Sequence, residues 1–216
     1  MSIWKRQKLL IIFLLVLIFS TIFAFANINK ETIVSGVKIE GIDVSGLSAE
    51  EAKGKLETIY NEKLETEIHV QYNEYETTIN ATLCETQYNI EEAVKEALSV
   101  GKNNNIFVNN YNILFALTGK KNINVNMQLN EEATKKTIED IGTNLPGVVV
   151  ESAYYIENNK LIITKGKKGV KIDTEKLLQK LKEKLKGPEK IVDYINIPVT
   201  EQEPSAIDID KIHEEI

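Results

Sequence analysis

The chain has a single cysteine, Cys84, among its 216 residues, and only two histidines, His69 and His213. One cysteine cannot close an intramolecular disulfide, so the fold must be held by packing alone. With one thiol and two distant imidazoles, neither a zinc site nor a thiol–imidazole pair has a sequence signature. Cys84 reads as a buried small apolar residue. His69 reads as a solvent-side residue of a strand, on the face opposite Ile68 and Val70. The only tryptophan, Trp4, lies at the extreme N-terminal end. Tyr154 and Tyr155 are adjacent, so a strand would point them to opposite faces, and no aromatic cluster of the kind that stacks on sugars is legible. No nucleophile, base and orienting group recur in a usable pattern. The chain is therefore read as a non-enzyme, with no catalytic residue, no cofactor and no metal ligand, and its ligand-binding residues stay unassigned.

Charge is uneven. Residues 1–26 hold three basic groups (Lys5, Arg6 and Lys8) and no acid, which leaves the remainder with a formal charge of −9. That balance argues against nucleic acid, and against teichoic acid or anionic lipid as an electrostatic partner. Leu9 to Ala26 is apolar, broken only by Ser20 and Thr21, and its 18 residues sit at the short end of a bilayer span. The basic residues before it would stay on the cytoplasmic side. Two readings compete: Ala24-Phe25-Ala26 fits a signal-peptide cleavage site, while the length of the run favours a retained anchor. Both place the rest outside the cytoplasm, so the expected localisation is the cell membrane, single-pass, with residues 9–26 in the lipid. The expected organisation is a cytoplasmic tip and anchor (or signal peptide) at 1–26 and a stalk at 27–33. A folded module at 34–204 and an acidic tail, or linker to a further domain, at 205–216 follow.

Within the module, Gly36-Val37-Lys38-Ile39-Glu40-Gly41-Ile42-Asp43-Val44 reads as a strand kinked or bulged at Gly41. Ser48 and Glu51 have the capping-box spacing, opening a helix from about Ala49 to Asn61. Glu67 to Tyr72 and Tyr75 to Ile79 alternate around Asn73-Glu74, a β-hairpin. Asn89, with Glu92, caps a second helix that Gly101 stops. Phe107 to Leu117 is open between helix and strand. Ile123, Val125 and Met127 make a half-buried strand. Asn130 caps a helix faced by Ala133, Thr137, Ile138 and Ile141. Residues 153–156 and 161–165 form a second hairpin. Asp173 caps a last helix with Leu177, Leu178, Leu181 and Leu185 inside, ended by Gly187-Pro188. Ile191 to Val199 closes the order as a strand, with Pro198 at an edge. The class is α+β, with antiparallel strands, about four helices after the N-terminal one, and two lobes of related element order at about 33–125 and 126–204.

Three charged features have structural readings that outweigh functional ones. The lysines Lys176, Lys180, Lys182, Lys184 and Lys186 read as a solvated helix face complementing the C-terminal dipole. Glu50-Glu51 and Glu91-Glu92 occupy first helical turns, where acids are favoured without any catalysis. Lys165 to Lys171 is a Gly-Lys loop, but it lacks the Gly-x-x-x-x-Gly-Lys-Ser/Thr form of a nucleotide site.

The opening segment Gly36 to Ala52 resembles the start of the peptidoglycan-binding module found ahead of VanW-like domains and of L,D-transpeptidase catalytic domains. The resemblance continues through Ala97-Leu98-Ser99-Val100-Gly101-Lys102, Lys165-Gly166-Lys167-Lys168-Gly169-Val170-Lys171-Ile172-Asp173, and Ile197-Pro198-Val199 followed by Pro204. It covers roughly Val34 to Pro204. One departure is Glu85-Thr86-Gln87-Tyr88, where the family often has a glycine. The chain has neither the Ser-His-Gly-Cys-type pattern of the transpeptidases nor the Gly-Gly-Gly-Ile-Cys-Gln-type segment of VanW-like domains. It is expected to be a stand-alone module or the N-terminal piece of a longer protein. The resemblance implies a membrane-anchored extracytoplasmic module that binds peptidoglycan or positions a partner, such as a wall enzyme or downstream domain, at the wall. The alternative is a non-binding spacer or protein-interaction module of a VanW-like or transpeptidase-type protein.

Overall fold

The computed structural model describes residues 3–27, 30–103, 105–158, 160–192 and 194–207. Its elements, in chain order, begin with α1 (Ile3–Asn27), β1 (Val37–Ile39), β2 (Ile42–Asp43), α2 (Ala49–Glu65), β3 (Glu67–Tyr72) and β4 (Tyr75–Asn80). Next come β5 (Gln87–Asn89), α3 (Ile90–Ser99), α4 (Ile106–Leu117), β6 (Lys121–Ile123), β7 (Asn126–Gln128) and α5 (Glu131–Thr143). The chain closes with β8 (Ala153–Glu157), β9 (Lys160–Thr164), β10 (Gly169–Ile172), α6 (Thr174–Leu185), β11 (Ile195–Asn196) and β12 (Val199–Gln202). The class is mixed α+β, with six helices and several small sheets among the described residues. Of the expected tail at 205–216, residues 208–216 lie outside the described residues, His213 among them. Of the expected stalk at 27–33, residues 28–29 also lie outside, and Ile33 is buried.

Two compact units emerge, and they interleave along the chain. The first is built from residues 1–63, 87–128 and 187–189, the second from 64–86, 129–186 and 190–216. In the first unit β1 is central, paired antiparallel with β2 and parallel with β6. Its core gathers Val37, Ile39, Leu56, Tyr60, Ala97, Ile113 and Ile123. The expected kink at Gly41 is instead a two-residue hairpin. Ile39 pairs with Ile42, and Glu40 and Gly41 both take positive φ, 47° and 78°, the combination that matches the twist of a tight hairpin. Glu40 accepts this conformation while its carboxylate takes the Val125 N–H at 2.9 Å.

The helix starts follow the sequence closely. Ser48 donates from its backbone N–H and its hydroxyl to Glu51 Oε2, both at 2.9 Å, and Glu51 N–H donates to Ser48 Oγ at 3.3 Å. Asn89 Oδ1 accepts the Glu92 N–H, but Glu92 answers to the Asn89 side-chain amide at 2.8 Å rather than to its backbone. Asn105 caps α4, which settles 107–117 as helix. The hydrogen bonds from Ser48 hold the exposed Glu51 carboxyl below its ordinary value of 4.5. A depressed carboxylate contributes stability above its unfolded pKa and loses it as pH falls through the folded one. Through loss of the N-cap alone, Ser48→Ala should lower stability by about 0.5–2 kcal/mol at neutral pH. The deficit should shrink in thermal melts of the full chain taken below about pH 4. A deficit constant from pH 7 to 3 would refute the reciprocal cap.

Several strands differ from expectation because their partners lie far away in sequence. The stretch 123–127 alternates as expected, but β6 ends at Ile123 and β7 pairs with β5 instead of β1. The final strand is two, β11 and β12, separated at Ile197-Pro198. Here Pro198 contributes only its carbonyl, accepting the Asp173 N–H at 2.8 Å. In the second unit β11 pairs in parallel with β3, which forms a hairpin with β4. The turn Asn73 takes φ 53°, and Glu85, which opens the segment Glu85-Thr86-Gln87-Tyr88, takes φ 47°. Leu177, Leu178, Leu181 and Leu185 of α6 are buried, as their spacing requires.

The single-pass membrane localisation is overturned. Among the described residues no helix is long and apolar enough to cross a membrane, and residues 9–26 are withdrawn as a membrane partner. The helix α1 is interrupted, and one side of it packs on α4. Ser20 and Thr21 break its apolar run, their hydroxyls donating to Leu17 O at 2.9 and 2.7 Å. Asn110 of α4 donates its side-chain amide to Thr21 Oγ1 at 2.8 Å. Leu15, Val16 and Phe19 share an apolar cleft with Ile113, Leu114 and Leu117. The segment is thereby tied by polar and apolar contacts to the first unit.

Candidate functional site

The second unit carries a groove built by α5 on one side and β10 with its neighbouring strap on the other. Asn130 begins α5 by accepting the N–H groups of Glu132 and Ala133 at 3.0 and 3.1 Å. Thr134, Ile138 and Ile141 bury one face of the helix. The strap is residues 147–150. Its backbone pairs with the β10 region through four hydrogen bonds. Val170 N–H donates to Gly147 O at 2.9 Å and Val149 N–H to Val170 O at 3.2 Å. Val150 and Lys167 exchange both of theirs, at 3.0 and 2.8 Å.

The Gly-Lys loop at 165–171 exists for this strap. A Cβ on Gly169 would lie 2.3 Å from Val149 N and 2.4 Å from Val148 C. One on Gly166 would lie 2.4 Å from Val150 O. The glycines let two backbones touch. Of the loop's lysines, Lys168 pairs with Glu201 at 2.8 Å and with Glu203 at 3.6 Å.

Between these layers lies a groove of about 300 Å³, floored by Ile138, Val148, Val149, Val170 and Ile172. Gly142 opens its α5 side, and Glu139, Thr143, Glu151, Thr174 and Gln202 supply polar groups around it. Lys171 also borders the groove, but it alternates along β10 with Val170 and Ile172, and Ile172 meets the α5 side at Gly142. Lys171 is the solvent-exposed residue of this strand. Glu151 accepts the Ser205 N–H at 2.6 Å, and Glu139 makes no ion pair among the described residues. An apolar floor with a few polar groups orients and desolvates a small ligand. Among the described residues no cluster of His, Cys, Asp and Glu could hold a metal.

The residues singled out from sequence do not converge here. Cys84 is fully buried. Burial pushes its thiol up, opposed by a hydrogen bond with Thr134, so it stays an inert thiol at neutral pH. His69 is exposed, as its strand register requires, and its ring lies 5.2 Å from that of Tyr194. Three of the α6 lysines have partners within the protein, though Lys176 and Lys180 remain exposed. Lys176 pairs with Asp173, Lys180 donates to Asn196 O, and Lys182 pairs with Glu131 of α5. Glu51 and Glu92 serve caps. Tyr154 and Tyr155 sit on opposite faces of β8, as expected from adjacency, and neither lines the groove. In the first unit Tyr60 and Lys63 are buried, and Tyr60 packs against the half-buried Tyr88. The tyrosine rings are 4.3 Å apart, and burial pushes Tyr88 up to about 12. Burial also lowers Lys63, which donates to Gly187 O at 2.7 Å. That lysine clamps the chain where it passes through the first unit.

Sequence reasoning missed the groove. Its one legible trace is the run Gly147-Val148-Val149-Val150, a β-branched stretch after a turn that no expected element used.

No curated protein and no solved structure matches the chain. The family described as "Putative peptidoglycan binding domain" matches residues 77–193, a segment that begins within β4 and holds α5, the strap, β10 and α6. The match spans more than half of the chain and nearly all of the groove, and the chain is a member of that peptidoglycan-binding family.

Proposed function

We propose that this chain is a non-catalytic module that holds peptidoglycan in the groove between α5 and β10. The observation that carries the reading is the coincidence of the family segment, residues 77–193, with the groove's lining, of which only Gln202 falls outside it. The floor offers desolvation for methyl and methylene groups, and the surrounding hydrogen-bonding side chains fix orientation. The overall acidity of the chain supports recognition by shape and local contact over attraction to an anionic polymer. Positioning a wall enzyme or a neighbouring VanW-like or transpeptidase-type domain would follow from such binding.

Gly142 supplies the test. It lies in the last turn of α5, and a Cβ there meets Ile172 Cδ1 at 3.7 Å, an ordinary contact. Gly142→Leu should fit the helix, fill the groove and keep or raise stability, since glycine is a poor helix residue. The full chain should co-sediment with purified peptidoglycan sacculi stripped of teichoic acid, and Gly142→Leu should lose that by about tenfold or more. Equal sedimentation of both proteins would remove the groove from the reading. Absence of sedimentation by the unaltered folded chain would remove peptidoglycan binding itself and leave a structural spacer as the better account.

A further inference from the structure

We infer that the groove takes the peptide of peptidoglycan, through a free amine on that peptide, and not the sugar chain. The inference rests on the reading of the chain as a peptidoglycan binder. The first argument is the floor. Ile138, Val148, Val149, Val170 and Ile172 are all branched aliphatics, and no aromatic ring lines the groove. A sugar ring offers a flat face of C–H groups bordered by hydroxyls. It is met best by a flat ring and a dense set of hydrogen-bonding groups. A peptide of small residues offers methyl groups, which suit a narrow aliphatic floor.

The second argument is charge. The ionisable residues lining the groove are Glu139, Glu151 and Lys171, two acids against one base. Glu151 spends one oxygen on the Ser205 N–H, and Glu139 has no ion pair among the described residues. The one lysine lining the groove, Lys171, is the solvent-exposed residue between Val170 and the buried Ile172. A ligand that brings a cation is complemented, and one that brings only an anion is repelled. N-acetylated sugar chains carry no cation, whereas a cell-wall peptide with a diamino acid carries an ammonium at a short distance from alanyl methyls. A carboxylate on each side of an ammonium also selects its position along the groove. The groove's volume of about 300 Å³ lies at the lower end of the range for small-molecule sites, which suits a short peptide better than a run of disaccharides.

The experiment is competition against sacculus binding by the full chain. Four competitors are compared: the free wall peptide with its diamino-acid amine, the same peptide acetylated at that amine, glycan strands stripped of peptide by an amidase, and buffer. The free peptide should release the chain from sacculi, and stripped glycan should not. Acetylation of the amine should weaken the peptide about tenfold, the loss expected for a charge-assisted contact. Glu139→Gln and Glu151→Gln, which keep side-chain shape, should each weaken the free peptide and leave the acetylated one unchanged. Release by stripped glycan with none by peptide would overturn the inference and leave peptidoglycan binding standing. Equal competition by free and acetylated peptide would overturn the role of the two glutamates. If the folded chain never sediments with sacculi, the underlying reading fails, and the inference fails with it.

Discussion

Gly36→Ala is expected to cost on the order of 4 kcal/mol or more, a large share of the stability of any domain this size. Two effects combine there. Gly36 takes φ 83°, a conformation that a Cβ penalises by about 1–2 kcal/mol. The added Cβ would also stand 2.1 Å from Ala116 O and 2.6 Å from Ala116 C, which no side-chain rotation can relieve. The Ala116 carbonyl is fixed in its own right, accepting the Gly119 N–H at 2.7 Å as α4 ends. Relief would require moving the end of α4 or the start of β1, and both belong to the first unit's core, where Val37 and Ile113 are fully buried. Gly119→Ala is the control. Gly119 has φ 71° but nothing within 4 Å of an added Cβ, so it should lose only the conformational part, about 1–2 kcal/mol. Urea melts of the full-length variants separate the two terms. Midpoints that coincide for Gly36→Ala and Gly119→Ala would mean that the close approach to α4 is not made.

What the sequence discloses is what is local. Caps at Ser48, Asn89, Asn130 and Asp173 are decided within three residues, and each of them sits at a helix start. The hairpin around Asn73 is decided within a few residues as well. The α6 leucines announce their burial by helical spacing alone. Pairing across long separations leaves no such trace. Nothing in Val37 to Ile39 names Lys121 to Ile123 as its parallel partner, and nothing in Glu67 to Tyr72 names Ile195. The apolar run at 9–26 and its interruption at Ser20 and Thr21 were legible, but its seat against α4 depends on a contact between residues 89 positions apart. The same limit hid the candidate site. Gly166 and Gly169 carry no positive φ, so the local argument for glycine never arises there. Their reason is the strap, and the strap is known only once the chain has folded.

Gly169→Ala turns that reason into a measurement. Because no backbone penalty is involved, the cost is the contact alone: an added Cβ 2.3 Å from Val149 N and 2.5 Å from Val148 O. The neighbours are main-chain atoms, so the strap must leave β10. The four hydrogen bonds that join 147–150 to Lys167 and Val170 are then lost or stretched, at about 0.5–1.5 kcal/mol each. The expected loss of stability is about 2–5 kcal/mol, moderated by whatever bonds water restores. Val148 and Val149 leave with the strap, and they are part of the groove floor, so binding to sacculi should fall together with stability. Gly142→Leu should instead lose binding alone, which makes the pair diagnostic: one fills the groove and the other removes its wall. Amide hydrogen exchange gives the local readout. In Gly169→Ala the N–H groups of Val149, Val150, Lys167 and Val170 should lose protection. Those of Leu177 and Leu181, in the buried helix α6, should change only as global stability does. Retained protection at Val149 and Val170 would show that the strap is not held by this contact. The groove would then need a different wall from the one described.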